Sequence, residues 1–246
     1  MLSSHETFGL PPSAHISLHK GGELAVWDRL NSVTGLREIA FKALRELPPH
    51  EIAMALQLHA HDLGGKKLRF KSLKKSVADR LLPLGRYRSG EESQWLLLKG
   101  AAPVLEPSEA ELQAAAPGDV AEITQLINAS HAKTPQGRSC EAWLGEDLFQ
   151  SGVYAVLLKI KGETAGFGAA AQGEKRGEIK WLSLLPAWQG KGFESALLGA
   201  LVRELAAHKQ NIVAVNVEAN APALHPLYEA HGFRWDGDRY FHVYCA

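Results

Sequence analysis

The chain has 246 residues, of which 46% are apolar and 22% are charged, and its formal net charge is zero. A chain of this length and composition has enough apolar surface for one large core or two smaller ones. Its apolar runs are far shorter than the roughly 20 residues that a membrane-spanning helix needs. The first residues lack the basic start and apolar run of a secretory signal. We therefore expect a cytoplasmic globular protein.

The cysteines and histidines give no metal-binding pattern. Cys140 and Cys245 are the only cysteines, too few for a disulfide framework, and they fit a reducing compartment. His59 and His61 are two residues apart, a spacing that points side chains to different faces of a helix. We expect no bound metal.

The N-terminal part of the chain is predicted to form a smaller α/β domain. Apolar residues from Leu36 to Leu47 recur at helical spacing, and Glu51–Leu63 reads as a second helix that ends at a glycine pair. Lys66–Lys75 alternates in part and suggests a strand, Ser76–Leu84 a short helix, and Ser89-Gly90 a hairpin.

A segment rich in alanine and proline divides the chain. We predict an N-terminal accessory domain at residues 1–100, a linker at 101–107 and a second domain at 108–246. In the second domain, Asp119 is the expected N-cap of an amphipathic helix that ends near Ser130.

The rest of the second domain reads as strand, strand, strand, helix, strand, helix and a final pair of strands. The last two strands are predicted to form a closing hairpin around Asp236-Gly237-Asp238. Together with the first strand and helix, this order indicates an α/β fold, a mixed sheet with helices on its faces.

One strand runs directly into a glycine-containing turn and a helix, at Gln189-Gly190-Lys191-Gly192. Glycines let the backbone approach a ligand closely, and the first amides of a helix present unpaired N–H groups and a positive dipole end to an anion. This pattern favours a phosphate or pyrophosphate site.

The segment from Leu182 to Phe193 resembles the signature of the GNAT superfamily of acyl-CoA-dependent N-acetyltransferases, a strand and a proline followed by Arg/Gln-x-x-Gly-x-Gly/Ala. Gln189 and Gly192 match, whereas Glu194 stands where the family usually has Gly or Ala. The segment Asn220–Phe233 resembles a second family motif, with one extra residue before Leu227-Tyr228. The resemblance covers the C-terminal 139 residues or so, from residue 108 onward.

The resemblance implies a mostly antiparallel GNAT-like sheet flanked by helices, and an N-acetyltransferase that moves an acetyl group from acetyl-CoA to a primary amine by direct attack. The amine acceptor is a small molecule or a protein. The residues that the resemblance assigns to cofactor binding are Leu182, Ser183, Leu184, Gln189, Gly190, Lys191, Gly192, Phe193, Glu194, Asn220 and Tyr228.

Catalytic roles follow from the same comparison. Tyr228 is the expected general acid for the departing thiolate, or else a ring that packs in the core. Glu178 and Glu218 are the candidate general bases on strands beside the expected cleft, and a water relay is the alternative.

Two further alternatives stay open. A carboxylate at Glu194 would repel a pyrophosphate, so the domain is alternatively a catalytically impaired acyl-CoA-binding or regulatory module. The basic run Lys66–Lys75 is compatible with RNA binding, but we favour a solvated face with Leu68, Phe70 and Leu73 turned inward and expect no nucleic-acid or membrane partner. The N-terminal domain echoes the second one, because a helix, a glycine, an aromatic residue and a strand close both, and it is compatible with a degenerate GNAT-like copy.

Overall fold

The computed structural model describes residues 15–30, 37–64, 68–84, 87–100, 110–130, 145, 148–218 and 224–245. Within these ranges, no helix is both long and apolar enough to cross a membrane. The strands of both halves join in a single mixed sheet of eleven strands.

In the described part of the N-terminal half there are five strands and two helices. Their bounds are β1 His15–His19, β2 Leu24–Leu30, β3 Arg37–Ala43, α1 Pro49–Asp62, β4 Leu68–Lys74, α2 Lys75–Leu81 and β5 Tyr87–Lys99.

The C-terminal half contributes six strands and three helices among the described residues. Their bounds are β6 Ala110–Ala114, α3 Val120–Ser130, β7 Val153–Ile160, β8 Glu163–Ala171, β9 Gly177–Leu184, α4 Phe193–Ala207, β10 Ile212–Glu218, α5 Leu224–Ala230 and β11 Arg234–Cys245.

The two halves repeat the same succession of elements. The series β1, β2, β3, α1, β4, α2, β5 corresponds one to one with β7, β8, β9, α4, β10, α5, β11. In each series the third and fourth strands are parallel, and the other pairs in the sheet are antiparallel. The N-terminal half is therefore a GNAT-like copy of the C-terminal one, without counterparts of β6 and α3 among the described residues.

The copies are joined by a reciprocal exchange of their last strands. The sheet order is β1-β2-β3-β4-β11-β5-β10-β9-β8-β7-β6, so β11 pairs with β4 of the N-terminal half and β5 pairs with β10 of the C-terminal half. The β5–β10 pairing runs from Ser93↔Glu218 to Lys99↔Ile212. Each half thus completes its sheet with a strand of the other.

Helices cover both faces of the C-terminal part of the sheet. Successive β7 residues point to opposite faces, since Leu157 packs with the α3 residue Ile127 and Leu158 packs with the α4 residue Leu197. Below α1 and α2 lies a separate core, whose fully buried side chains include Leu24, Val26, Ile39, Leu56, Phe70, Leu73 and Leu81.

The helix predicted from Leu36 to Leu47 is wrong. Residues 37–43 form strand β3, and Leu36 lies outside the described residues. Ile39, Phe41 and Ala43 alternate toward the core, a period of two that the helical reading overlooked.

Two predicted hairpins are continuous strands. Gly90 lies inside β5, where a Cβ atom would come within 2.1 Å of the Tyr244 ring, so this glycine allows close packing. Asp236-Gly237-Asp238 is a bulge within β11, with Gly237 at φ 94° and the Asp238 N–H donating to Asp236 Oδ1 at 3.0 Å.

The first helix of the second domain is preceded by one 3-10 turn that was not predicted. Residues 117–119 form a 3-10 turn before α3, and the Asp119 carboxylate accepts a hydrogen bond from the Ala116 N–H at 2.8 Å. Asp119 is therefore not the N-cap residue. The linker proposed at residues 101–107 lies outside the described residues and stays a prediction.

We expect residues 108–246 expressed alone to fail to fold, because β10 loses its partner β5 and β11 loses both β4 and β5. Central strands that lose their neighbours leave backbone N–H and C=O groups without hydrogen bonds, and their exposed edges can pair with other chains and aggregate. Soluble yield and cooperative thermal unfolding by circular dichroism measure this. Co-expression with residues 1–107 should restore a soluble complex. A monomer that unfolds at the Tm of the full chain would contradict the expectation.

Replacing Gly168 with alanine should destabilise the protein by about 1–3 kcal/mol, the usual effect of overpacking. A Cβ atom there would lie 2.9 Å from Leu201 Cδ1 and 3.0 Å from Leu197 Cγ, which fix α4 on the sheet. The control is Gly199→Ala within α4, where the nearest atom is 3.7 Å away and helix propensity predicts a gain of about 1 kcal/mol. Urea denaturation measures the free energy of unfolding of both variants. Equal changes in the two variants would contradict the packing argument.

Candidate active site

The pairing between the parallel strands β9 and β10 stops partway along both strands. Their ladder comprises the pairs from Gly177↔Val213 to Ile179↔Val215. Beyond it, Trp181–Leu184 pairs with β8, and Asn216–Glu218 pairs with β5. The two strands are thus held from their outer sides while their facing edges are not paired with each other, and we call this unpaired stretch the gap.

A bulge at Lys180 marks the point of separation. Ile179 pairs with Ala170 and Trp181 with Ala169, which leaves Lys180 as an extra residue in β9. Bulges twist a strand away from its neighbour. The bulge carries no sequence signal, because Lys180 belongs to neither of the two motifs.

The end of β9 is anchored by two side chains. The carbonyl oxygen of Leu184 accepts hydrogen bonds from Gln189 Nε2 and from Ser130 Oγ, both at 2.9 Å. Gln189 therefore fixes the turn that follows the strand. Ser130 was not among the sequence candidates, since a serine at the end of a helix carries no motif.

The turn after β9 adopts left-handed backbone conformations at both glycines. Gly190 has φ 71° and Gly192 has φ 88°, and Gly192 is the N-cap of α4. A Cβ atom at either position would meet nothing within 4 Å. The two ends of the turn are in contact, because the Phe193 ring packs edge to face against the Trp188 ring with 5.7 Å between the centroids. The result is an open backbone concavity at a helix N-terminus, suited to an anion.

Glu194 reaches into this concavity. Its Oε1 accepts a hydrogen bond from the Gly190 N–H at 2.7 Å. The internal carboxylate satisfies an amide that an anionic ligand would otherwise use. Lys191 lies on the other side of the turn, with its Nζ 5.0 Å from the centroid of the Trp188 ring.

Tyr228 lies in the core beside α4. It is 3% exposed, and its ring packs against Phe233 at 5.5 Å between centroids, in a cluster that includes Leu198 and Leu201. Burial raises the pKa of its phenol, which keeps the hydroxyl protonated at neutral pH. The helix begins at Leu224 and has Pro226 in its first turn, where a proline is tolerated.

The candidate bases occupy different environments. Glu178 forms an ion pair with Lys180 Nζ at 2.7 Å, within the parallel part of the ladder. Glu218 ends β10 and pairs with Ser93 of β5 in the sheet, and its side chain is not among the described ones. Asn220 lies outside the described residues.

Strand β5 of the N-terminal half lies behind β10, one of the two strands that border the gap. Ser93 of β5 is fully buried, and its Oγ accepts a hydrogen bond from Asn216 Nδ2 at 3.2 Å, just beyond the point where β9 departs. In β9, the buried Ser183 has no hydrogen-bond partner for its Oγ among the described residues. The contact of Ser93 was not visible in the sequence, because it depends on strand register, whereas Ser183 is among the residues that the GNAT resemblance assigns to cofactor binding.

Residues 126–243 match the family described as an acetyltransferase (GNAT) domain. This region is a GNAT acetyltransferase domain. The match includes the gap, the glycine turn and Tyr228. No curated protein sequence matches the chain.

Solved GNAT structures share the whole fold. A GCN5-related N-acetyltransferase from Sphaerobacter thermophilus has a TM-score of 0.67 at 16% identity, covering 98% of this chain and 82% of that one. One from Kribbella flavida has a TM-score of 0.68 at 13% identity, with 95% and 90% covered. A tandem GNAT protein from the clavulanic acid biosynthesis pathway has a TM-score of 0.66 at 14% identity, with 98% and 85% covered. At these identities the likeness is one of fold, and it extends over both GNAT-like copies.

The N-terminal copy lacks the glycine turn of the GNAT domain. Its connection between β3 and α1 is Leu44-Arg45-Glu46-Leu47-Pro48, and Pro49 begins the helix. Proline has no N–H to offer an anion. Arg45 is held by both carboxylate oxygens of Glu23, at 2.9 and 2.7 Å. This copy therefore lacks the anion concavity of the C-terminal copy.

The cations of the basic run Lys66–Lys75 whose side chains the structure describes are all paired with carboxylates. Leu68, Phe70 and Leu73 point into the core, as expected. Lys74 and Lys75 pair with Asp238 and Asp79, respectively, at 2.6 and 2.7 Å, and the buried Arg69 pairs with Glu38 at 3.3 Å. The described part of the run offers no free row of cations for RNA.

Proposed function

We propose that the GNAT domain binds acetyl-CoA and transfers its acetyl group to a primary amine. The observation that carries the proposal is the continuity of the β9/β10 gap with the open glycine turn at the N-terminus of α4. The gap would admit an extended pantetheine arm, and the turn has the concave backbone that a pyrophosphate requires.

The residues present fit the cofactor. The free edge of Leu182–Leu184 would supply backbone groups to the arm and the acyl carbonyl. The amides from Gln189 to Glu194 would hold the pyrophosphate, and the Gly190 N–H joins them once the Glu194 carboxylate releases it. Asn220, which the motif assigns to the same site, remains part of the proposal. Acetyl-CoA contributes the activated thioester, and the protein supplies orientation and proton transfer.

Proton transfer is assigned to Tyr228 and to a carboxylate or water. Tyr228 donates its proton as the thiolate leaves, since a phenol is protonated at neutral pH. Removal of a proton from the ammonium falls to Glu218, to Glu178 or to water. Glu178 first has to separate from Lys180, which makes it the weaker candidate of the two carboxylates.

The second candidate function is a binding or regulatory module without turnover. The hydrogen bond between Glu194 and the Gly190 N–H favours it, because a carboxylate already occupies the anion concavity. Calorimetry with acetyl-CoA together with thiol release across a panel of primary amines separates the two functions. Binding without thiol release above the uncatalysed rate would support the module.

Gly192→Val should weaken CoA binding by more than about tenfold, a loss of at least 1.4 kcal/mol. The new side chain would enter the open space, and φ 88° is strained for valine. The matched control is Gly162→Val, in a turn with φ 84° and equally open surroundings away from the gap. Calorimetry on folded protein measures both. Unchanged affinity in the Gly192 variant would move the site elsewhere.

Glu194→Gln should tighten CoA binding by about three- to thirtyfold at low salt, since it removes a negative charge from the phosphate site. The gain should shrink as salt rises, because screening weakens the repulsion in the parent protein. Glu204→Gln, an exposed position later in the same helix, is the control and should bind like the parent. An affinity that does not change at any salt concentration would show that Glu194 does not face the phosphates.

Tyr228→Phe should lower kcat by roughly ten- to a thousandfold, the range of a lost general acid, with little change in the Kd for CoA. Stability should change by no more than about 1.5 kcal/mol. The control is Tyr154→Phe, which removes a hydroxyl bonded to Gln172 at the margin of the same core. Single-turnover kinetics measure the chemical step. Parent-like turnover would leave Tyr228 as a packing residue only.

A further inference from the structure

A chain of hydrogen bonds crosses the core of the N-terminal copy and takes no part in the GNAT site. Ser17 Oγ lies 2.8 Å from His59 Nδ1, and His59 Nε2 lies 3.1 Å from Asp28 Oδ1. The other Asp28 oxygen accepts a hydrogen bond from Arg37. The chain links β1, α1, β2 and β3 in that order.

The burial of these groups is graded. The side chains of His59 and Asp28 are 0% exposed, whereas Ser17 is half-buried on β1, the strand at the edge of the sheet. A half-buried serine is therefore backed by an imidazole and a carboxylate that are shielded from water. Shielding strengthens the attraction between a carboxylate and a neighbouring imidazolium.

The imidazole of His59 keeps both hydrogen bonds in either protonation state. When it is neutral, Ser17 O–H donates to Nδ1 and Nε2–H donates to Asp28. When it is protonated, Nδ1–H donates to Ser17 Oγ and Nε2–H still donates to Asp28. A proton can move from the serine to the imidazole without rearrangement, which is what a general base requires.

The carboxylate is held in its ionised form. Burial raises the pKa of Asp28, but hydrogen bonds from His59 and Arg37 and their charges outweigh this effect, so its pKa lies below the ordinary value. An ionised Asp28 fixes the imidazole ring and stabilises the imidazolium formed when the proton moves.

A second imidazole lies on the same side of β1. His19 follows Ser17 by two residues, and its buried Nε2 has no hydrogen-bond partner among the described residues. Burial lowers the pKa of His19, and His59 lowers it further against the opposing effect of Asp62. A neutral imidazole with an unused nitrogen can donate a hydrogen bond to an oxyanion beside Ser17.

We propose that Ser17 is the nucleophile of a second acyl-transfer centre, in which His59 is the general base and Asp28 orients it, and that this centre cleaves carboxylic esters. Relative to serine hydrolases in general, the two ring nitrogens exchange roles, since Nδ1 faces the serine. The centre lies in the copy that lacks the anion concavity and is independent of the proposed acetyl-CoA chemistry.

The reaction proceeds in two balanced steps. Ser17 Oγ attacks the ester carbonyl, its proton passes to His59 Nδ1, and that proton then leaves with the alkoxide as the C–O bond breaks. Water attacks the resulting acyl-serine, its proton passes through His59 to Ser17 Oγ, and a carboxylic acid is released. His19 hydrogen-bonds the oxyanion in both steps.

A fluorophosphonate probe tests the proposal, since it phosphonylates an activated serine with loss of fluoride. The full chain should gain one adduct on Ser17, located by intact mass and peptide mapping, and Ser17→Ala should gain none. His59→Gln should slow labelling about a hundredfold or more, within the range of a lost general base. Turnover of p-nitrophenyl acetate should fall in parallel.

Ser89→Ala is the control, because Ser89 is exposed and its Oγ bonds only to the neighbouring Gly90 carbonyl among the contacts described. It should label like the parent. Folding of each variant is checked by circular dichroism, and Ser17→Ala should retain the parent's CoA affinity. A folded parent protein that gains no adduct at Ser17, or a His59→Gln variant that labels at the parent rate, would overturn the proposal.

Discussion

The exchange of β5 and β11 between the two halves is the constraint on which the rest of the structure depends. A strand inside a sheet needs a hydrogen-bonded neighbour on each side. The fourth strand of each half, β4 or β10, has one neighbour from its own half and receives the second from the other half. The ion pairs that also join the halves, such as Lys42 with Glu174, are exposed and contribute little. The strand ladders therefore hold the molecule together.

The same exchange keeps the gap of the GNAT domain open. Because β5 satisfies the outer edge of β10 as far as Glu218, β10 keeps its course after it leaves β9. The Lys180 bulge directs β9 away on the other side. A cleft between two parallel strands ordinarily costs hydrogen bonds, and here each strand makes them with its other neighbour. The N-terminal half is thus part of the structure of the site even though it has no glycine turn of its own.

The sequence predicted the C-terminal elements well and the N-terminal ones unevenly. The glycine turn and the strands on either side of it were legible, because glycine, proline and alternating apolar residues act locally. Strand β3 was mistaken for a helix, since Ile39 and Ala43 fit both periods and the choice between them is made by pairing with β2 and β4. The glycines at 90 and 237 were taken for turns, whereas their surroundings in the sheet decide their roles.

Site residues followed the same division. The motif singled out the positions around Gln189 and Gly192, and the charge of Glu194 suggested that it would repel a pyrophosphate. Its hydrogen bond with the Gly190 N–H carried no sequence signal. Ser130, Lys180 and Ser93 were missed, because one anchors a carbonyl 54 residues away in sequence and the others depend on register. The polar chain through Ser17, Asp28 and His59 likewise assembles from three separate elements.

The order in which the strands are synthesised affects how the protein folds on the ribosome. Strand β4 has to wait for β11, whose residue Val243 pairs with Phe70, so its edge stays open until nearly all of the described chain has emerged from the ribosome. Pairing strands that are far apart in sequence costs the chain entropy of closing a large loop, and this cost comes before the new contacts stabilise the fold. Folding is therefore slow. During synthesis the N-terminal half is therefore an incomplete sheet whose β4 edge is unpaired. This exposed edge makes it prone to aggregation, and we expect chaperones to bind it.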